Sequence, residues 1–93
     1  MRAIERTTQF RQGDKREIKG RHRATLQANL TFVLQVLVGD TPLAEHYRDH
    51  PLAGEWAGFR DCHVKPDLVL IYEKPDAETL RLVRLGSHSE LGW

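Results

Sequence analysis

Residues 55–85, EWAGFRDCHVKPDLVLIYEKPDAETLRLVRL, decide the fold. Three runs with strand composition, at 55–63, 67–73 and 79–85, are separated by Val64-Lys65-Pro66 and by Lys74-Pro75-Asp76-Ala77-Glu78. Connections this short predict an antiparallel meander, because a parallel crossover needs a dozen or more residues. Leu68-Val69-Leu70-Ile71-Tyr72 is apolar on both faces of a strand, whereas its neighbours interleave Arg60, Asp61, Arg81 and Arg84, so the middle strand belongs inside the sheet.

Upstream, Leu26, Leu30, Val33, Leu34 and Leu37 repeat at helical spacing, with Ala28, Phe32 and Val36 widening the apolar stripe. Gly39-Asp40-Thr41-Pro42 ends this helix, and no clear period returns until about residue 55. So long a connection carries a local turn or a function, and this one holds His46, Tyr47, Asp49 and His50. Residues 9–19 read as a polar, basic surface helix anchored by Phe10 and Ile18, weakened by Gly13, with Thr7-Thr8 offering N-cap hydroxyls. Residues 2–7 read as a short strand. The order is β-α-α-β-β-β, which predicts a single α+β domain over residues 1–93, two helices packed on one face of a four-stranded, mainly antiparallel sheet.

With 40% hydrophobic and 29% charged residues, the composition excludes disordered, collagenous and disulfide-stapled classes. Cys62 is the lone cysteine, no apolar run approaches the roughly 20 residues that span a bilayer, and Met1-Arg2-Ala3-Ile4-Glu5-Arg6 lacks a signal-peptide core. A cytoplasmic protein without membrane partners is expected. The net charge of +1 hides an asymmetry: residues 2–23 carry eight of the 14 Lys and Arg. That third of the chain is a candidate phosphate-attracting surface.

Five histidines draw attention, of which His22 and His46 fit ordinary surface roles. Alternation from Phe59 puts Phe59, Asp61 and His63 on one sheet face, and a three-residue turn would set Asp67 opposite His63. Such a carboxylate favours imidazolium and poises the ring to trade protons near neutral pH. Pro66 fixes the turn entry, His50 ends the long connection, and His88 follows Gly86-Ser87 just beyond the last strand. Several histidines with a carboxylate suit metal-free phosphodiester cleavage, a metal site built from His50, His63, Asp67 and His88, or passive anion binding. RNA cleavage needs a base, an acid and a cation over the developing charge. Histidines with Arg60 or Arg84 supply that set, and Trp56, Phe59 and Trp93 offer stacking surfaces for unpaired bases.

The segment Tyr47-Arg48-Asp49-His50-Pro51-Leu52, with Gly54, Trp56, Gly58, Arg60-Asp61, His63-Val64, Pro66-Asp67, Leu70-Ile71-Tyr72 and Gly86-Ser87-His88-Ser89-Glu90-Leu91, resembles the YafQ-like branch of the RelE toxin superfamily. The resemblance covers nearly the whole chain and implies the RelE-like form of the fold already reached. It also implies a toxin of a type II toxin–antitoxin pair, an endoribonuclease that cuts translated mRNA in the ribosomal A site without a cofactor. Its implied catalytic residues are His50, His63, Asp67 and His88, with Arg60, Asp61, Arg84, Trp93, Lys15, Arg16 and Lys19 as candidate RNA contacts. Implied partners are a cognate antitoxin, the ribosome with its mRNA, and operator DNA reached through the antitoxin. The chain departs from the family pattern at its end, where Gly92 then Trp93 stand in place of a Phe four residues after the last histidine. The competing reading is an RNA-, ribosome- or antitoxin-binding module without cleavage.

Overall fold

The computed structural model describes residues 1–20 and 23–91. The elements run β1 (Ala3–Arg6), α1 (Thr8–Ile18), α2 (Arg23–Val38), β2 (His50–Pro51), β3 (Arg60–Lys65), β4 (Leu68–Asp76), β5 (Thr79–Gly86) and α3 (His88–Leu91). The α+β class holds, with one more strand than the sequence predicts: the sheet has five, in the order β1-β5-β4-β3-β2. The β1–β5 pairing is parallel and the other three pairings are antiparallel. The added strand is two residues long, too short for a periodic signal.

Leu26, Leu30, Val33, Leu34 and Leu37 of α2 are buried with Phe10, Cys62, Val64, Leu68, Leu70, Tyr72, Leu80, Leu82 and Leu85 in the main core. Phe32 falls off that stripe and is 50% exposed. Val69, Ile71, Val83 and Leu91 form a smaller cluster, with Leu52, Trp56 and Phe59 against it. Strand alternation assigns the two clusters to opposite sheet faces, and the doubly apolar β4 separates them between β3 and β5.

Thr7 caps α1, accepting a hydrogen bond from the Phe10 N–H at 3.0 Å and donating its hydroxyl to the Val83 carbonyl at 2.6 Å. This ties the helix start to β5; such caps contribute about 1 kcal/mol. The helix buries Phe10, Gly13 and Glu17, not the Phe10–Ile18 pair expected, because the one-sided spacing follows Gly13. A Cβ on Gly13 would lie 2.1 Å from the Leu85 carbonyl oxygen. The glycine that weakens the helix is what lets it touch β5.

Both limits of β3 also move. Residues 54–56 form a 3-10 turn and Gly58 has φ of +94°, a left-handed conformation, so β3 starts at Arg60 rather than at 55. At its other end β3 continues through buried Val64 to Lys65, and the register shifts between His63 and Lys65. The connection to β4 shrinks to Pro66-Asp67.

Candidate functional site

The shortened turn changes the partner of Asp67. His63 faces Val69 across the ladder, so the expected His63–Asp67 cross-strand pair is corrected: Asp67 belongs to the turn. There its Oδ1 lies 3.0 Å from His88 Nδ1 and accepts from the His88 backbone N–H at 3.4 Å. The His88 ring meets the His63 ring edge-on, centroids 5.2 Å apart. With Nδ1–H committed to Asp67, the Nε2 of His88 is left for a substrate.

His50 arrives by a different route. Arg48 adopts φ of +53° and turns the chain, after which β2 pairs His50 with Asp61 and Pro51 with Arg60. Asp49 holds this corner to the sheet, accepting from the buried Tyr72 hydroxyl and from Arg60 Nε at 3.3 Å. Burial, with Asp49 beside it, pushes the Tyr72 hydroxyl pKa up, so it stays a donor. His50 Nδ1 lies 2.6 Å from the Arg48 carbonyl and 3.0 Å from Asp61 Oδ1. One N–H cannot serve both well, and it serves the carbonyl: Asp61 Oδ1 has no hydrogen bond among the described residues.

Asp61 is 2% exposed and feels His50, His63 and His88 together. Burial raises its pKa, against the attraction of all three rings. His63, on the same strand face, is held below its ordinary pKa chiefly by desolvation and then by His88, while Asp61 pulls the other way. A neutral imidazole therefore stands beside a second imidazole fixed by a carboxylate, over a buried carboxylate. That set can accept one proton and deliver another. Among the described residues, no three His, Cys, Asp or Glu side chains are grouped to hold a metal ion.

Of the expected cations, Arg84 stands opposite Ile71 on the histidine face and reaches the Glu90 carbonyl at 3.4 Å. Arg60 lies on the helix-covered face and is spent on Asp49. Lys15 and Lys19 are exposed on or just after α1, whereas Arg16 Nε lies 2.6 Å from Glu90 Oε2. Trp56 and Phe59 meet edge-on at 5.5 Å and are partly buried against β4. His22 and Trp93 lie outside the described residues. Cys62 is buried and its thiol pKa is pushed up, which keeps it protonated and inert. What sequence reasoning missed is Glu90, although Ser87 followed by Glu three residues on is a legible capping box.

The family described as "Bacterial toxin of type II toxin-antitoxin system, YafQ" matches residues 2–92. The mRNA interferase toxin YafQ of Escherichia coli strain B is 40% identical over 91 residues, 97% of this chain and 95% of that protein. Among solved structures, the toxin in the E. coli DinJ–YafQ complex superposes with a TM-score of 0.83 at 38% identity, covering 98% of both chains. A metal-bound toxin from Helicobacter pylori gives 0.82 at 42% identity, covering 98% of this chain and 99% of that one.

Proposed function

The chain belongs to the YafQ family of bacterial type II toxin–antitoxin toxins, and from that premise we propose that it is an mRNA interferase. In this reading it is an endoribonuclease that cuts translated mRNA in the ribosomal A site by general acid–base chemistry without a metal ion. The observation that carries the reading is one sheet face on which His50 lies 3.0 Å from buried Asp61, while the His63 and His88 rings meet at 5.2 Å beside Asp67. His63, kept neutral by desolvation, takes the proton of a ribose 2′-OH. The 2′-oxygen attacks phosphorus, the bond to the 5′-oxygen breaks, and His88, oriented by Asp67, returns a proton to that oxygen. Arg84 faces the charge that develops on the phosphoryl oxygens. His50, anchored beside Asp61, binds the scissile phosphate, and exposed Lys15 and Lys19 meet RNA backbone.

The relative's complex with DinJ supports a cognate antitoxin as the partner here; inhibition by it and operator DNA reached through it belong to the same proposal. The test is single-turnover cleavage of mRNA on programmed ribosomes by the parent, His63→Ala and His88→Ala, with and without EDTA. The expected result is a loss of 100-fold or more for each variant, on the order of a lost general acid or base, and no effect of EDTA. Undiminished cleavage by both variants overturns the site. Loss in EDTA that a divalent ion restores overturns the metal-free route.

A further inference from the structure

We propose that Arg16 and Glu90 are positioning residues that hold His88 in place, an inference that rests on the nuclease reading above. His88 opens α3, which has four residues and cannot persist by backbone hydrogen bonding alone. Its order comes from its surroundings. Ser87 and Glu90 form a reciprocal capping box: the Glu90 N–H donates to Ser87 Oγ at 3.2 Å, and the Ser87 N–H donates to Glu90 Oε1 at 2.8 Å. The second carboxylate oxygen, Oε2, lies 2.6 Å from Arg16 Nε. Both oxygens of Glu90 are thus engaged, one with its own helical turn and one with α1.

The fold makes room for this bridge. A Cβ on Gly86 would lie 3.1 Å from Glu90 Oε1 and 3.2 Å from Arg16 Nη2, and Gly13 seats α1 against the carbonyl just before it. Buried Glu17 lies beside the same guanidinium, 3.7 Å from Arg16 Nε. Leu91 closes the turn against Val69, Ile71 and Val83. His88 is therefore clamped on one side by Asp67 and on the other by a chain from Arg16 through Glu90 to Ser87. Arg16 is about half exposed, so the ion pair adds little to global stability. Its effect is on where one imidazole sits, and misplacement of about 1 Å can cost roughly 100-fold in rate.

This assignment separates cleanly from an RNA contact by Arg16. A phosphate contact changes the toxin concentration giving half-maximal cleavage and its salt dependence, whereas a positioning residue changes the rate at saturation. The experiment compares parent, Arg16→Ala, Glu90→Ala, Glu90→Gln and the double alanine variant in single-turnover cleavage on programmed ribosomes, with ring-nitrogen NMR of the free toxins. Expected are a saturating rate at least tenfold lower for each alanine variant, half-saturation within twofold of the parent, and a double variant no worse than the worse single. The His88 ring signals move in both, and those of His50 do not. Glu90→Gln keeps an acceptor for Ser87 and loses less, which holds the test open if the alanine variant unfolds. A normal saturating rate with raised half-saturation overturns the proposal. If the parent itself does not cleave, the nuclease reading fails, and unmoved His88 signals in Arg16→Ala and Glu90→Ala overturn the positioning role independently.

Discussion

Gly13→Ala is expected to destabilise this protein, although it replaces a poor helix former by the best. In an isolated helix the change gains about 1 kcal/mol. In the folded chain the new methyl would stand 2.1 Å from the Leu85 carbonyl oxygen, 3.1 Å from its carbon and 3.4 Å from its nitrogen, all backbone atoms that cannot rotate away. Ordinary contact begins near 3.4 Å, so α1 must retreat by 3.4 − 2.1 = 1.3 Å. The retreat lifts Phe10, which is 1% exposed, out of the core and pulls Arg16 away from Glu90. Overpacking of this kind costs roughly 1–3 kcal/mol and more where backbone meets backbone. Because the clash here is with backbone, the upper end of that range applies, and set against the propensity gain the net loss is about 2 kcal/mol, a fall in Tm on the order of 8–16 °C for a domain of this size. Urea unfolding of the parent and variant at fixed pH measures it, with Gly20→Ala as control. A Cβ on Gly20 would meet nothing closer than 3.6 Å, and its midpoint should stay within about 0.5 kcal/mol of the parent. If Gly13→Ala unfolds at or above the parent's midpoint, the close approach of α1 to β5 is wrong, and with it the seat of Arg16.

Two further outcomes follow from the titrating groups. His63 must be neutral to act as a base, and burial holds its pKa below the ordinary 6.5, so the acid-side fall of the single-turnover rate should have its midpoint below that value. An acid-side fall in rate that persists unchanged in His63→Ala refutes the assignment. Asp61 has a raised pKa in the fold, so its carboxyl costs nothing below about 3.8 and costs stability as pH rises through the folded value. Asp61→Asn should therefore match the parent's stability at pH 3 and equal or exceed it at pH 7–8, while cleavage drops about 100-fold on the scale of a lost acid–base partner. Lower stability at pH 8 together with full cleavage would show that Asp61 is a packing residue only.

Much of the architecture is legible in local pattern. Leu26, Leu30, Val33, Leu34 and Leu37 mark α2 because burial on one helical face leaves a 3.6-residue period. Leu68 to Tyr72 mark a central strand because apolar residues on both faces have only one place in a half-covered sheet. The histidine face was readable as well: Phe59, Asp61 and His63 share it by strict alternation, and the structure keeps them there. Arg60, next in sequence to Asp61, goes to the other face by the same rule and serves Asp49.

Pairing across space was not readable. Buried Val64 draws β3 two residues further than the turn residues suggest, a register shift follows, and Asp67 moves from His63 to His88. The two-residue strand β2, which sets His50 beside Asp61, has no period to detect and exists because Asp49 is tied to Tyr72 and Arg60. By itself, then, the sequence determined β1, α1, α2 and the three strands of the meander, their order, the face that carries the histidines and the family resemblance, since each depends on neighbours along the chain. Only the tertiary structure decided which carboxylate serves which imidazole, that Asp61 lies buried beside His50, and that Arg16 meets Glu90. Those choices depend on register, a bulge and the close approach of two backbones, and none of these has a local signature.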